Sequence, residues 1–248
     1  MREKAQQFLT EALGMDFPYV KMGKIDSLDL FGPTELMILQ LYKHNKNRWK
    51  HVLDIGANLG LHSIIMDRLG WYVRAYEPQP DIFKLLERNL KANQCKNVIS
   101  YQSAVHTASG EANMVVVENN LTGSHLEGFK DSYGPRHTIK VHTLDCRKLW
   151  TGQSVGNYKY PDTDFVKIDS EGNEAELCLT MTKEVMSHMD CIMEVRNEKN
   201  AQIIYDYFTG IGVPIWTQKN DWQKAQSIED MPKMNREGSI FVGHKSPF

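Results

Sequence analysis

Three acids stand where one reacting atom could meet them. Asp169 and Glu171 follow the apolar run Phe165-Val166-Lys167-Ile168, and Glu194 follows Cys191-Ile192-Met193. If the two runs are neighbouring parallel strands, their carboxyl ends open on one crevice. Carboxylates there can take a proton from a hydroxyl, orient an ammonium group or bind a divalent cation. Asp169 is the first choice as proton acceptor and Glu194 the second, with Glu171 as an orienting acid towards a cofactor. The plain alternative is that Glu171 and Glu174 lie at a helix N-terminus, where acids are stabilised whatever their function. Lys167 would then merely pair with one of them. His125, in a long polar stretch, is a further candidate for proton transfer. A metal site is the weaker option, and no ligand is assigned.

A second constellation reads as a nucleotide loop. Val52-Leu53 leads into Asp54-Ile55-Gly56-Ala57-Asn58-Leu59-Gly60, and a helical pattern follows through Leu61, Ile64, Ile65 and Leu69. The strand-like run from Tyr72 to Tyr76 then ends at Glu77-Pro78. Strand, Gly-rich turn, helix, strand, acid is the order of a mononucleotide-binding half. Gly56 and Gly60 permit a tight turn and close backbone approach. Glu77 can accept two hydrogen bonds from a ribose diol and would repel a phosphate. Asp54, just before the loop, also makes it a poor pyrophosphate cradle, which wants donors and positive charge. A sulfonium with an amino-acid ammonium suits such an acidic setting, so the cofactor expected is S-adenosyl-L-methionine. Its contacts would come from Asp54, Gly56, Ala57, Asn58, Gly60 and Glu77. Ser103 and Ala104, after the third strand, are small enough for an adenine ring to lie flat. The bland alternative is a strand–helix turn in some other α/β protein.

The elements that must position these residues follow from periodicity. A helix from Asp81 carries Ile82, Phe83, Leu85, Leu86 and Leu90 on one side and stops near Asn93. Val98, Ile99 and Tyr101 form the third strand. Segments 111–117 and 137–144 read as strands of a β insertion around a long polar loop, 118–136, and loops of that length are uncommon without a function. Residues 149–161 read as a polar link. After the strand at 165–168 comes a helix with Ala175, Leu177, Cys178, Leu179 and Met181. Another helix runs from Ala201 to Phe208 and stops at Gly210. Runs at 214–216 and 238–242 complete the sheet, and Trp222, Met231 and Met234 between them are expected to pack on it. Towards the start, Ala5 to Leu13 reads as a short helix, and a second begins at Gly32-Pro33-Thr34-Glu35. His44 and His62 read as surface or packing residues.

Composition narrows the function. The 248 residues suit one α/β domain with additions. A formal net charge of -2 gives no general attraction to nucleic acid or anionic membrane. No stretch is apolar enough to span a bilayer. Cys95, Cys146, Cys178 and Cys191 form no paired metal motif, and widely spaced thiols point to a reducing compartment. Residues 1–15 lack a signal-like apolar stretch, so a cytoplasmic protein is expected.

The chain resembles the FkbM family of S-adenosylmethionine-dependent methyltransferases. The resemblance rests on the Val52 to Gly60 stretch, on Ala75-Tyr76-Glu77-Pro78-Gln79-Pro80 and on Leu86-Glu87-Arg88-Asn89-Leu90-Lys91-Ala92-Asn93. The sharpest match is Val166-Lys167-Ile168-Asp169-Ser170-Glu171-Gly172-Asn173-Glu174. It implies a Rossmann-like class I methyltransferase fold, with a predominantly parallel seven-stranded sheet and flanking helices, here with the β insertion near 110–145. Residues 1–48 would be a helical or extended cap and 49–248 the methyltransferase domain. The implied activity is O-methylation of a hydroxyl on a sugar, glycan or small natural product. N-methylation of a small molecule, or a non-catalytic binding protein keeping the fold, are the other readings. Oligomeric state stays open. Ser170 stands where an apolar residue is frequent, and Arg196 where a His often stands.

Overall fold

The computed structural model describes residues 21–22, 25–26, 32–118, 123–129, 134–152, 154–155, 158–159, 162–234 and 237–248. The helix expected at Ala5 to Leu13 lies outside them, as does part of the 118–136 loop.

The first half of the described chain alternates as the periodicity requires. Helix α1 (Pro33–His44) precedes β1 (His51–Ile55), α2 (Leu61–Arg68), β2 (Tyr72–Tyr76), α3 (Pro80–Ala92) and β3 (Val98–Tyr101). An insertion follows: β4 (Ala104–His106), β5 (Gly110–Val117), β6 (His125–Leu126) and β7 (Arg136–Asp145). The chain then makes α4 (Arg147–Trp150), β8 (Phe165–Ile168), α5 (Glu174–Cys178), α6 (Lys183–Met186), β9 (Asp190–Glu194) and α7 (Glu198–Gly210). The last strands are β10 (Ile215–Thr217), β11 (Gln223–Lys224) and β12 (Ser239–Val242).

The main sheet runs β11-β10-β12-β9-β8-β1-β2-β3. Its five strands from β9 to β3 pair in parallel, and β12 pairs antiparallel with both β9 and β10. Seven strands therefore carry the expected architecture, and the two-residue β11 adds an eighth at the edge. The strand order reverses at β1, so the carboxyl ends of β1 and β8 flank the switch point where ligands bind in such sheets.

Both faces of the sheet are buried, as parallel strands require. Alternate residues serve opposite layers. Val52, Phe165 and Ile192 join α1, α2 and α3 through Leu41, Tyr42, Ile64 and Leu86. Leu53, Val166, Cys191 and Met193 join α5 and α7 through Leu177, Cys178, Ile204 and Phe208. The insertion forms its own sheet, β4-β7-β5-β6, closed over Ala104, Met114, Leu126 and Val141.

Several local expectations are corrected. The helix after β8 is only five residues, because the chain turns at Thr180 and restarts as α6, where the Thr182 hydroxyl accepts from the Val185 N–H. By contrast α7 does end at Gly210, and Gly212, at φ 75°, takes the left-handed turn beyond it. Leu149 and Trp150, read as part of a polar link, are fully buried. Trp222 and Met231 are buried as expected, whereas Met234 is exposed. Among the described residues no helix is long and apolar enough to cross a membrane.

Candidate active site

The loop after β1 is shaped by what it must approach. Gly56 has φ 73°, and a Cβ there would run into the backbone carbonyl of Asp169. Gly60, at φ 89°, would place a Cβ 2.6 Å from a methyl of Leu86. Glycine thus lets the loop lie against the end of β8 on one side and α3 on the other. Asn58 is left-handed as well, at φ 49°, a conformation that Asn tolerates better than most residues. Its N–H donates to Glu77 Oε2 at 3.0 Å, and the Gln79 N–H donates to Glu77 Oε1 at 2.9 Å. Burial pushes the Glu77 carboxyl up to about 7 against those two donors and the Lys167 charge. Asn58 Oδ1 is buried with no hydrogen-bond partner among the described residues.

Asp54 has a different setting from the other acids. The register of β1 with β8 sets Lys167 directly across from Asp54. Lys167 Nζ lies 3.2 Å from Asp54 Oδ1 and donates to Gly56 O at 2.9 Å, while Ser63 of α2 donates to Asp54 Oδ2 at 2.6 Å. The Asp54 side chain is wholly enclosed, so its carboxylate holds strand, loop and helix together. Lys167, expected to pair with Glu171 or Glu174, pairs with Asp54 instead, because alternation puts residue 167 on the α2 face. Burial would lower the Lys167 ammonium, but Asp54 and Asp169 outweigh it and keep it charged.

The three strand-end acids do converge, around a residue the sequence reading left without a role. Arg196 lies 2.9 Å from Asp169 Oδ1, 2.8 Å from Glu171 Oε2 and 2.6 Å from Glu194 Oε2. Glu171 reaches it from a left-handed backbone, φ 63°. Glu174 is turned inward, accepting from the Ser170 and Gly172 N–H groups at the head of α5. The environments of Asp169 and Glu194 push them apart. Partial burial would raise Asp169, yet Lys167 and Arg196 hold it below the usual carboxylate value. Burial and the Asp169 charge drive Glu194 up to about 8, against Arg196.

Asp169 and Glu194 line a cavity of ≈ 90 Å³ at the carboxyl edge, together with Lys167. Thr34, Glu35 and His62 line it as well. His62, read as packing or surface, therefore faces the site. Its Nε2 is 2.8 Å from Glu35 Oε1 and its Nδ1 2.9 Å from Tyr42 Oη. Ser103 precedes β4, and Ala104 is buried in the core of the small sheet. His125 is also in that sheet, paired opposite Val115, buried, with Nδ1 2.9 Å from Gly123 O. Among the described residues no group of three or more His, Cys, Asp or Glu is arranged to hold a metal ion.

Comparison with known proteins decides the family. The model of the methyltransferase FkbM domain matches residues 54–209, more than half of the chain. The chain belongs to the FkbM methyltransferase family. It is a methyltransferase that takes S-adenosylmethionine as methyl donor. Hexuronic acid methyltransferase AglP of Haloferax volcanii is 28% identical over 192 residues, covering 77% of this chain and 69% of that protein. The METTL16 MTase domain shares the fold at 10% identity, with a TM-score of 0.54 over 99% of this chain and 80% of that one. The O-methyltransferase from Bacillus cereus in complex with SAH gives 0.46 at 13% identity, over 97% of this chain and 88% of that one.

Proposed function

We propose that this methyltransferase alkylates a hydroxyl oxygen of a sugar, glycan or similar hydroxylated small molecule. The observation that carries the reading is one polar cavity in which Glu194 is raised to about 8 beside an Asp169 held ionised. A base is most effective when its pKa lies near the working pH, and two carboxylates pushed apart divide the labour. A relative that acts on hexuronic acid supports a sugar as acceptor.

In this reading Glu77 accepts hydrogen bonds from the ribose diol. The unpartnered Asn58 Oδ1 beside it offers a further acceptor, so the residues present fit the cofactor. The backbone from Gly56 to Gly60 forms the wall against which it lies. When bound, S-adenosylmethionine supplies a methyl on a sulfonium, already a strong electrophile. The chain then has to align the acceptor oxygen behind that methyl and remove its proton. Glu194 would take the proton of the acceptor hydroxyl, whose oxygen would receive the methyl that the sulfonium supplies. Asp169 keeps Lys167 and Arg196 in place and is the second candidate for the base. Residues 1–48, whose helix α1 brings Thr34 and Glu35 to the cavity, act as a cap on the methyltransferase domain of 49–248.

The test is an acceptor screen with labelled cofactor over glycosides, amines and small hydroxylated metabolites, followed by single-turnover transfer. Glu194→Gln should lower the transfer rate by roughly 10²–10⁴-fold, the range of a positioned acid–base group. Affinity for S-adenosylhomocysteine should stay close to wild type. The wild-type rate should climb with pH through about 8 as Glu194 ionises. Transfer only to amines, or an unaffected rate in the Glu194→Gln variant, would sink the reading.

A further inference from the structure

The cavity that Glu194 lines holds a further carboxylate with no part in the scheme above. Glu35, in the first turn of α1, lines the cavity and keeps 25% of its side chain exposed. Its Oε1 is held by His62 Nε2 at 2.8 Å. On the far side of the ring, His62 Nδ1 is 2.9 Å from the hydroxyl of Tyr42, which is fully buried. Burial and the neighbouring acids Asp54 and Glu35 raise the Tyr42 phenol well above its ordinary value, so it keeps its proton beside Nδ1. On the other side of the ring, Nε2 faces the Glu35 carboxylate at ion-pair distance. Both ring nitrogens face protein groups, so the ring sets the position of the Glu35 carboxylate.

The helix that carries Glu35 is itself pinned to the sheet. Gln218 Nε2 donates to Thr34 O at 2.6 Å, and Gln218 Oε1 accepts from the Ser239 N–H at 2.8 Å. Ser239 pairs with Glu194 across β12 and β9. Thr34, Gln218 and Ser239 thus fix Glu35 relative to Glu194 in the same cavity. Two carboxylates lining one cavity match an acceptor with more than one hydroxyl, because an ionised carboxylate only accepts hydrogen bonds.

We infer that Glu35 binds a hydroxyl of the acceptor adjacent to the one methylated, that His62 is the positioning residue for Glu35, and that the acceptor is therefore a polyol. The inference rests on the O-methylation reading and adds the recognition of a second hydroxyl.

Methyl glucoside and methyl glucuronide, each with labelled S-adenosylmethionine, are the probes. For a probe that accepts methyl, Glu35→Gln should raise KM roughly tenfold to a hundredfold, the weight of a charge-assisted hydrogen bond. Its kcat and its affinity for S-adenosylhomocysteine should stay close to wild type. His62→Phe, which cannot hold Glu35, should reproduce the KM effect, and His62→Gln, which keeps a donor, should restore part of it. The same probe lacking the adjacent hydroxyl should bind wild type as poorly as the parent binds Glu35→Gln, and the variant should no longer distinguish the two. Thermal melting of each variant separates misfolding from lost recognition. Unchanged KM in Glu35→Gln overturns the inference and leaves O-methylation standing. A fall in kcat alone makes Glu35 a base, and weakened S-adenosylhomocysteine binding makes it a cofactor residue; either overturns the assignment. If neither glycoside accepts methyl or binds, the sugar reading falls and this inference with it.

Discussion

If Glu77 is the diol acceptor proposed above, a single side chain couples cofactor binding to pH. Enclosed at the end of β2, it sits at about 7 before any ligand arrives. Only the ionised carboxylate accepts both hydrogen bonds of a diol, so binding favours loss of the proton. The sign follows: below pH 7 the ligand must first displace a proton and affinity weakens, whereas above it the site is ready. Affinity for S-adenosylhomocysteine should be about tenfold weaker at pH 6 than at pH 8. Calorimetry in buffers of different ionisation enthalpy should show proton release near neutrality. Glu77→Gln should weaken binding by about 1.5–3 kcal/mol at high pH and flatten the dependence. A pH profile unchanged by that substitution would assign the coupling to another group. The acid was legible in the sequence from its place after the second strand. Its raised pKa was not, because that depends on enclosure by the 56–60 loop.

Between strands, Asp54 and Lys167 form one unit across the β1–β8 ladder. The chain spelled out both strands through their apolar runs, yet the reading paired Lys167 with acids beyond its own strand. Register, which no local pattern states, decides the partner. The same limit hid Glu35 and His62. They belong to different helices and meet only because Tyr42, buried between α1 and the sheet, sets the packing of one against the other. Arg196 could be seen as a departure from the family pattern. Its contacts with four carboxylates, Asp169, Glu171, Glu174 and Glu194, required β8 and β9 to be placed side by side. Removing one member of the buried pair tests the unit. Lys167→Met leaves the Asp54 carboxylate enclosed without its cation and should cost about 3–5 kcal/mol in denaturant unfolding. The double variant with Asp54→Asn should recover part of that loss, since it removes the uncompensated charge. Equal destabilisation in the single and double variants would mean that Lys167 contributes packing alone.

Across the whole molecule, the insertion is the part the common sheet does not need. Its strands β5 and β7 pair along their length and close a small core of their own, so it can vary without disturbing the main sheet. It nevertheless reaches the site: a Cβ at Gly172 would lie 2.8 Å from the carbonyl of Phe129, placing the turn after β6 against the turn that carries Glu171. Gly172 has φ 138°, and only glycine permits both that backbone and that approach. If the acceptor is recognised beside the acid cluster, as proposed above, the insertion is placed to contribute to its recognition through the turn that carries Glu171. Replacing residues 118–136 by a short turn, with β5 and most of β7 kept, should therefore raise KM for the acceptor or abolish transfer. Affinity for S-adenosylhomocysteine should change little. Gly172→Ala, which pushes the two turns apart without shortening anything, should shift KM in the same direction by a smaller factor. The decisive measurement is KM against cofactor affinity in both variants. Full activity with the same acceptor preference after shortening would make the insertion a structural addition, and acceptor choice would then lie with α1 and the cavity wall it carries.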